Sequence, residues 1–383
     1  MTARTDGPAR VLELRSVRGT GGGPEKTIIA GAAMADPQRA QVVVCYIRDA
    51  RDAVFEIDIR AAQAQVDYVE VIERHSFDPG VWRRLKQLAI SRRIQIVHAH
   101  DYKTDLLALL LSRSLGIAAL STVHGWTGHS RRERFCYYPL DKRILARFPR
   151  LIAVSSEIER ELCNHGADRR KITTLLNAID HRIFRRDRTC TPQARAAVGF
   201  ETGDFVIGSV GRLEPQKRFD LLLEAFAVFR ANSPRARLVI AGDGSLREKL
   251  EQQRMRLGLT DCCKLIGHVN DVIALHNGLD LFVQSSAYEG TPNSVLEAMA
   301  METPIVATAA GGTSELVADG VHGRIVPVGD SDALIAAMRE AVGDSQRSRI
   351  MADAARRRVE TELSFESRAR RVEGIYQELI RHA

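Results

Sequence analysis

Short apolar runs rich in β-branched residues alternate with longer amphipathic segments along the first half of the chain. The amphipathic segments have the length of helices and lie between several of the runs. This alternation predicts a parallel β-sheet covered by helices on both faces, which is an α/β fold. The runs that predict strands are VLELR (11–15), QVVVCYI (41–47), IQIVHAH (94–100), AALSTVHG (118–125) and RLIAVS (150–155).

The same alternation starts again after a polar segment at residues 177–204. A chain of 383 residues exceeds what one hydrophobic core usually supports, so the repeat predicts two doubly wound, Rossmann-like domains. Ligands bind at the carboxyl ends of parallel strands, and two such sheets facing each other would form a cleft that holds the functional site. The second set of predicted strands is FVIGSVG (205–211), RLVIAGDG (237–244), KLIGHV (264–269), LDLFVQSS (279–286), TPIVATAAGG (303–312) and GRIVPV (323–328), followed beyond 330 by helical patterns only.

Composition and charge exclude several classes of protein. Hydrophobic residues make up 45% and charged residues 27%, which is typical of globular proteins. The longest apolar run, LLALLLS (106–112), is far shorter than the roughly 20 residues that span a bilayer. The amino terminus has no apolar segment of signal-peptide length, so we expect a cytoplasmic protein. The net charge of +7 is modest, and no nucleic-acid-binding module accompanies it.

Histidines follow two of the predicted strands, but no metal-binding motif accompanies them. His98, His100 and His124 lie at strand ends, with His129 a little further on. There is no H-E-x-x-H motif, and the six cysteines form no C-x-x-C pair, so we predict no metal site and only structural cysteines. A lone buried histidine is usually structural. His124 directly precedes a glycine and is the one that we expect in the functional site.

The segment SAYEGTPNSVLEAMA (286–300) places two carboxylates, Glu289 and Glu297, around a predicted helix start. Thr291 is the predicted N-cap, with Pro292 at the first helical position. Backbone amides of residues 291–295 would then bind phosphate, while the two carboxylates accept hydrogen bonds from sugar hydroxyls. The alternative is that Glu297 only complements the helix dipole and Glu289 is a solvated loop residue.

Basic and glycine-rich loops add candidate phosphate contacts. Arg212 and Lys217 follow the first predicted strand of the second domain, where both could reach a diphosphate, although such residues are often only solvated. The turn in IAGDGSL (240–246) resembles a nucleotide-contact loop. In RGTGGGPEKT (18–27), glycines allow close backbone approach, but the spacing is neither that of a P-loop nor G-x-G-x-x-G.

Together these motifs resemble the retaining nucleotide-sugar glycosyltransferases of the GT-B fold, in particular glycosyltransferase family 4 (glycosyl transferases group 1). The resemblance rests on GRLEPQKRFDLLLEAF, AGDGSLREKLE, GHVNDV and EGTPNSVLEAMAMETPIVATAAGGTSELV, which occur in the family's order. It implies an acceptor-binding domain at 1–182, with 365–383 packing back on it as a C-terminal helix. It also implies a nucleotide-sugar donor domain at 183–364.

The resemblance also implies a role for each candidate residue. Arg212 and Lys217 would neutralise the departing diphosphate, Glu289 would hold the donor sugar, and His124 would lie near the sugar being transferred. The implied donor is UDP- or GDP-linked, with no metal or other cofactor. The donor-binding set is Gly22, Gly23, Gly211, Gly242, Gly244, Gly290, Thr291, Pro292, Asn293, Ser294 and Glu297, and the acceptor-side set is Glu25, His100 and Lys103.

The implied reaction moves a hexose to a saccharide or lipid-linked acceptor in surface polysaccharide or glycolipid synthesis. The alternatives are an inactive nucleotide-sugar-binding module and a sugar-nucleotide epimerase on the same fold. Two basic amphipathic segments, 81–93 and 131–150, suggest docking on anionic lipid and a peripheral position on the inner face of the membrane. The alternative for these segments is ordinary packing helices with charged outer faces.

Overall fold

The computed structural model describes residues 7–382 apart from residues 18, 20, 77 and 127–136. The chain divides into two compact units, each with its own core. Unit 1 is Met1–Asn177 together with Phe365–Ala383, and unit 2 is Ala178–Ser364.

The strands of both units are short and follow one another along the chain with helices between most of them. They are β1 (Ala9–Ser16), β2 (Ala40–Asp49), β3 (Asp67–Glu73), β4 (Ile96–Ala99), β5 (Ala118–Val123), β6 (Arg150–Ala153), β7 (Ile172–Thr174), β8 (Phe205–Val210), β9 (Ala236–Ala241), β10 (Cys263–Gly267), β11 (Leu281–Gln284), β12 (Ile305–Thr308) and β13 (Arg324–Val326).

The helices range from a single turn to five turns. They are α1 (Gly23–Ala33), α2 (Ile57–Gln63), α3 (Pro79–Ser91), α4 (Tyr102–Leu115), α5 (Tyr138–Leu145), α6 (Ser156–Asn164), α7 (Thr191–Ala197), α8 (Phe219–Arg230), α9 (Arg247–Arg256), α10 (Val272–Asn277), α11 (Asn293–Ala300), α12 (Thr313–Leu316), α13 (Ser331–Gly343), α14 (Ser345–Thr361) and α15 (Phe365–His382). Among the described residues, no helix is both long and apolar enough to cross a membrane.

The sheet of unit 1 has the strand order β3-β2-β1-β4-β5-β6-β7, and every adjacent pair is parallel. The central strand β1 is buried on both faces, as expected for a parallel sheet covered by helices. Glu13 lies in the middle of this apolar strand and is only 9% exposed. The chain order reverses between β1 and β4, which places the expected ligand crevice at their carboxyl ends.

The sheet of unit 2 has the order β10-β9-β8-β11-β12-β13, again with parallel pairs throughout. Its chain order reverses between β8 and β11. The loops that follow these two strands are therefore the expected place for a ligand in this unit.

The predicted α/β fold is confirmed, and each of the eleven predicted strands is present. The apolar runs missed two strands, β3 and β7, which lie at the two edges of the unit 1 sheet. Edge strands are less completely buried than central ones. Polar residues such as Asp67, Glu70 and Thr174 therefore interrupt the apolar pattern there.

The apolar stripe at residues 81–93 belongs to α3 and faces the core of unit 1. Val81 and Leu85 are buried, and Trp82 and Leu88 pack against the same core. Of the two alternatives for this stripe, a packing helix with a charged outer face is therefore confirmed, because its apolar side chains already pack against the core of unit 1.

The cysteines in the described residues are free thiols. Burial raises the pKa of Cys45 and of Cys263 to about 12, which keeps both protonated and unreactive at neutral pH. Cys136 lies outside the described residues.

Candidate active site

The loop after β8 brings Lys217 against Glu289, which follows β11. Lys217 Nζ lies 2.5 Å from Glu289 Oε1, and the two side chains are 14% and 8% exposed. Gly211 leaves room for this lysine, because a Cβ atom at position 211 would lie 3.2 Å from Lys217 Cε. The two residues that sequence reasoning placed on separate motifs are thus in direct contact.

Glu289 uses one of its two oxygens for contacts within the protein. Oε1 also accepts hydrogen bonds from Ser286 Oγ at 2.7 Å and from Gln284 Nε2 at 3.3 Å. Oε2 has no hydrogen-bond donor among the described residues. The carboxylate is therefore held firmly on one side and open on the other, where a hydroxyl group can donate to it.

The helix α11 starts one residue later than predicted. Pro292 has an extended backbone (ψ 113°) and is the N-cap in place of Thr291, so Asn293 is the first helical residue. The Pro292 carbonyl accepts from the amides of Val295 and Leu296, both at 3.2 Å. Within the described residues, the amides of Gly290 and Ser294 have no hydrogen-bond partner. The sequence predicted that the amides of residues 291–295 would be available to an anion. The Val295 amide already donates to Pro292 and Pro292 has no N–H, so fewer amides are available than predicted.

Glu297 lies in the second turn of α11 and is only 4% exposed. Both the role in binding sugar hydroxyls and the alternative role of complementing the helix dipole stay predictions for this buried carboxylate. Arg212, by contrast, is exposed and has no ion-pair partner in the part of the chain that the structure describes. Its guanidinium is therefore available to an anionic ligand.

The glycines of the turn after β9 are required by backbone packing. A Cβ atom at Gly242 (φ +141°) would lie 1.8 Å from the Gly211 carbonyl oxygen, and one at Gly244 would lie 2.6 Å from that of Leu213. Glu214 links the same two loops by accepting bonds from the hydroxyl and amide of Ser245, at 2.8 and 3.0 Å. The two loops therefore form one body, and a donor contact by Gly242 or Gly244 stays a prediction.

In unit 1, Glu25 shapes the glycine turn before α1. Its Oε2 accepts from the Gly22 amide at 2.5 Å, and its Oε1 is paired with Arg15. Burial alone would raise the pKa of Glu25, but the Arg15 charge and the Gly22 bond hold it below its usual value. Both carboxylate oxygens are thus used within unit 1, and the predicted acceptor-side role of Glu25 is not needed to explain its position.

Lys103 lies in the first turn of α4, beside the end of β4. Its ammonium group is paired with Glu73, the last residue of β3. Asp101 caps this helix by accepting from the amides of Lys103 and Thr104. This ion pair therefore holds Lys103, a predicted acceptor-side residue, near the carboxyl ends of β3 and β4.

The histidines at the ends of β4 and β5 form a connected polar cluster with Glu13. His100 Nε2 is bonded to Glu13 Oε2, and His100 Nδ1 lies 3.2 Å from His124 Nε2. His98 Nδ1 lies 2.8 Å from the Tyr376 hydroxyl, which donates to Glu13 Oε1 at 2.7 Å. His129 lies outside the described residues.

Burial controls the charges of this cluster. It lowers the pKa of His100 to about 4 and that of His124 well below its usual value, so both rings are neutral near pH 7. Burial would raise the pKa of Glu13, but the neighbouring His98 and His100 hold it well below its usual range. Glu13 is therefore a carboxylate and accepts hydrogen bonds only.

Glu13, His98 and His100 could also hold a metal ion by their donor types. One ligand atom from each lies within 4.8 Å of the others, and all three side chains are buried. The guanidinium groups of Arg15 and Arg368 bring positive charge to the same cluster, which disfavours a cation.

Sequence reasoning missed Glu13, Gln284, Ser286 and Tyr376. One signal was visible for Glu13, since a carboxylate in the middle of a strand buried on both faces must be paired. For Tyr376 there was none, because it lies on a C-terminal amphipathic helix and meets Glu13 only through the tertiary structure.

Comparisons with known proteins agree with this architecture. Residues 21–182 match the family model described as Glycosyltransferase Family 4, and residues 191–358 match that described as Glycosyl transferases group 1. The chain is 30% identical to the putative glycosyltransferase EpsD of Bacillus subtilis over 73% of this chain and 78% of that protein. It is 27% identical to the UDP-Gal:alpha-D-GlcNAc-diphosphoundecaprenol alpha-1,3-galactosyltransferase of Escherichia coli, covering 82% and 86%.

Two solved structures resemble the whole chain. HepE of Anabaena, in complex with UDP and glucose, has a TM-score of 0.85 at 22% identity and covers 97% of this chain and all of that one. Sucrose-phosphate synthase of Thermosynechococcus elongatus has a TM-score of 0.83 at 19% identity, covering 98% of this chain and 100% of that one. Likeness at this identity establishes the GT-B fold. The chain belongs to glycosyltransferase family 4, the group 1 glycosyl transferases.

Proposed function

We propose that this glycosyltransferase moves a hexose from a UDP- or GDP-linked sugar to a saccharide or lipid-linked acceptor, with retention at the anomeric carbon and without a metal ion. The observation that carries the proposal is the pair of Lys217 and Glu289 at the carboxyl ends of β8 and β11. It sets a cation for the leaving diphosphate beside a carboxylate for the sugar hydroxyls.

The surroundings of this pair suit a nucleotide sugar. The exposed Arg212 and the amides of Gly290 and Ser294 supply donors for phosphate oxygens, while Oε2 of Glu289 and the buried Glu297 supply acceptors for hydroxyls. Donors aimed at the phosphate stabilise the negative charge that develops as the glycosidic bond breaks. Arg, Lys and helix amides would thus do the work that a divalent ion does in other transferases.

The names of similar proteins support the proposed nucleotide-sugar donor, the proposed acceptor and a biosynthetic role. HepE of Anabaena has been crystallised with UDP, with UDP-glucose, and with UDP and glucose together. The Escherichia coli relative is named for a UDP-galactose donor and a diphosphoundecaprenol-linked acceptor, and a Staphylococcus aureus relative is named for capsular polysaccharide biosynthesis. We therefore infer a role in surface polysaccharide or glycolipid synthesis.

The first experiment is nucleotide release from a panel of UDP-, GDP- and ADP-sugars, with and without a chelator. We expect slow release from one donor, unaffected by chelator and lowered on the order of 100-fold or more in the Lys217→Ala variant. Arg349→Ala is the matched control, since it removes an exposed cation on α14. Complete loss with chelator would contradict metal independence.

Calorimetry with the same panel covers the case in which no donor is turned over. Binding of one donor without turnover, even with lipid-linked and saccharide acceptors present, would favour the inactive binding module. Isomerisation of the donor sugar would favour the epimerase. Binding of no donor would contradict the donor-site assignment. Retention is tested separately, by the anomeric proton coupling in the NMR spectrum of the product.

A lipid-linked acceptor would be met by an apolar surface on α4 and α5. This α4–α5 surface consists of Tyr102, Leu106, Leu110, Tyr137 and Leu140, with exposed fractions of 38 to 54%. The rings of Tyr102 and Tyr137 are stacked at 5.4 Å. Exposed basic residues Arg143 and Arg147 accompany it on and just after α5. Part of the basic segment 131–150 lies outside the described residues.

We propose that the α4–α5 surface docks on an anionic membrane at the inner face, in place of the α3 stripe. Apolar side chains flanked by arginines suit the boundary between acyl chains and anionic headgroups. Tyr102 is the first residue of α4 and lies two positions after His100, so this surface begins near the carboxyl end of β4 in unit 1.

Flotation with liposomes tests the docking surface. We expect salt-sensitive binding to vesicles containing phosphatidylglycerol, weak binding to pure phosphatidylcholine, and loss of binding in a Leu106→Ser/Leu110→Ser variant. Ile59→Ser, at a similarly exposed position on α2, is the control. Equal binding by the two variants would contradict the assignment of the surface.

A further inference from the structure

The hydrogen bonds around Glu13 determine which ring nitrogen of His100 carries the proton. A carboxylate only accepts hydrogen bonds, so the His100 Nε2 that is bonded to Glu13 Oε2 must carry a proton. A neutral imidazole has one N–H. His100 Nδ1 is therefore an acceptor.

The position of the proton on His100 in turn determines the position of the proton on His124. His100 Nδ1 lies 3.2 Å from His124 Nε2, so His124 Nε2 carries the proton and donates. His124 Nδ1 then holds a lone pair. No donor to this nitrogen is present in the part of the chain that the structure describes, so it is open to a substrate group.

We propose that Glu13, acting through His100, is a positioning residue that holds His124 as the Nε2–H tautomer, so that His124 Nδ1 accepts a hydrogen bond from a sugar hydroxyl. The inference rests on the proposed function for the identity of the substrate. The tautomer itself is a property of the free protein and is measured without substrate.

Tyr376 and His98 fix the other side of Glu13. The Tyr376 hydroxyl donates to Glu13 Oε1 and therefore accepts from His98 Nδ1. His98 Nε2 then accepts from the Thr122 hydroxyl at 2.7 Å. Because both carboxylate oxygens are held, Glu13 cannot rotate away from His100. Each hydrogen bond in this network is donated in the direction of Glu13. His124 Nδ1 is the acceptor in the network that has no donor among the described residues.

The neutral state of both rings gives the assignment its chemical meaning. A doubly protonated His124 would donate from Nδ1 and would suit a phosphate oxygen. A neutral ring with the proton on Nε2 instead suits a hydroxyl donor. The Glu13 network thus selects sugar over phosphate at this position.

The decisive measurement is the tautomer of His124 in full-length protein labelled with ¹⁵N-histidine. Long-range ¹H–¹⁵N spectra separate protonated from unprotonated ring nitrogens, and a His124→Asn variant assigns the signals. We expect Nε2–H on His100 and on His124 in the wild-type protein. A proton on His124 Nδ1 in the wild type would overturn the proposal whether or not any variant folds.

The Glu13→Gln variant tests the direction of the relay. Its amide N–H can donate to His100 Nε2, which moves the His100 proton to Nδ1 and forces the His124 proton to Nδ1 as well. Tyr376→Phe keeps the Glu13–His100 bond, so we expect the wild-type tautomer there. Because the glutamine oxygen could also face His100, Glu13→Leu, which removes the acceptor altogether, is measured beside it; an unchanged His124 tautomer in both variants would show that Glu13 does not set it.

Activity and metal content complete the test. We expect Glu13→Gln to lower kcat roughly 10- to 100-fold, as for other residues that orient a reactive side chain. Glu373→Gln, a buried carboxylate on α15 that accepts from the Asp36 amide, should keep the wild-type rate. One bound metal ion per chain that is lost in Glu13→Gln would overturn the relay, because a metal on His100 Nε2 reverses its proton. If no donor is turned over, the proposed function fails while the tautomer result still decides this inference.

Discussion

Lys217 Nζ and Glu289 Oε1 lie 2.5 Å apart and are separated by 72 positions in the sequence. The ammonium group and the carboxylate compensate each other's charge in a largely buried place. Each residue therefore stabilises the other in the folded protein and also contributes to the proposed donor-binding site. Substitutions at these positions should change stability and activity together.

Lys217→Met should destabilise unit 2, because it leaves the Glu289 carboxylate buried without its cation. We expect a loss on the order of 3 kcal/mol in the free energy of unfolding, measured by urea denaturation. The Lys217→Met/Glu289→Gln double variant should lose less than the single variant, since no unpaired charge remains. Equal losses would show that the pair contributes little to folding. Both variants should lose 100-fold or more in nucleotide release.

Gly242→Ala should prevent the loops after β8 and β9 from packing together. The added Cβ atom would lie 1.8 Å from the Gly211 carbonyl oxygen, a distance that requires the backbone to move. Gly258→Ala is the control, because Gly258 also has a positive φ of 67° but nothing within 4 Å of the new atom. We expect about 1 kcal/mol for the control and a much larger loss of stability and donor affinity for Gly242→Ala, by urea denaturation and calorimetry.

Asp105 and Asp141 should make stability fall as the pH rises. Burial raises the pKa of Asp141 to about 6 and that of Asp105 well above its usual value, and the charge of Asp141 raises the pKa of Asp105 further. The folded state therefore holds more protons than the unfolded state between about pH 4 and 6. The stabilising contribution of both carboxyls is complete below about pH 4; that of Asp141 is lost as the pH rises through about 6, and that of Asp105 as the pH rises through its own raised pKa.

The Asp105→Asn variant isolates this effect. Its amide can donate to Asp141, which then ionises at less cost. We expect the wild-type free energy of unfolding to fall more than that of the variant between pH 4 and 7, by on the order of 1.4 kcal/mol per pH unit for each carboxyl that is protonated only in the folded state. Burial of His100 and His276 acts in the opposite direction, but it is common to both proteins. Parallel pH profiles of the two proteins would contradict the raised pKa values of the two carboxyls.

Arg356→Met should loosen α14 from the start of unit 2. The Arg356 guanidinium donates to the carbonyls of His181, Phe184 and Ala300, at 2.8, 2.5 and 2.6 Å. Losing these charged donors should cost on the order of 3 kcal/mol in urea denaturation. Arg357→Met, at an exposed position on the same helix, should change stability by less than about 0.5 kcal/mol. Similar losses in the two variants would show that these bonds are weak.

The parallel sheets could be predicted from the sequence because their central strands are almost entirely apolar. β1, β2, β8, β9, β11 and β12 lie inside their sheets and are largely buried on both faces, so their apolar runs are bounded clearly by polar segments. The edge strands β3 and β7 were not predicted, because their partial exposure permits polar residues that interrupt the apolar pattern. For α3 the sequence left two alternatives open, because amphipathicity indicates an apolar partner without saying whether that partner is lipid or the protein's own sheet.

The candidate site was predictable where its chemistry is carried by a motif and not where it depends on tertiary contacts. Glu289, Glu297, Arg212 and Lys217 lie in recognisable segments at strand ends, but the Lys217–Glu289 contact is invisible in either segment alone. The same holds for Glu13 and Tyr376. A buried carboxylate in an apolar strand predicts a partner, and only the fold identifies it.

The bond between Tyr376 and Glu13 joins the last helix of the chain to its first strand, 363 positions away. During synthesis on a ribosome, all of unit 2 emerges before α15 does. Unit 2 has its complete sequence at that moment, whereas Glu13 still lacks the tyrosine that holds its second oxygen. Unit 1 is therefore completed after unit 2, and its polar network closes only after α15 has emerged.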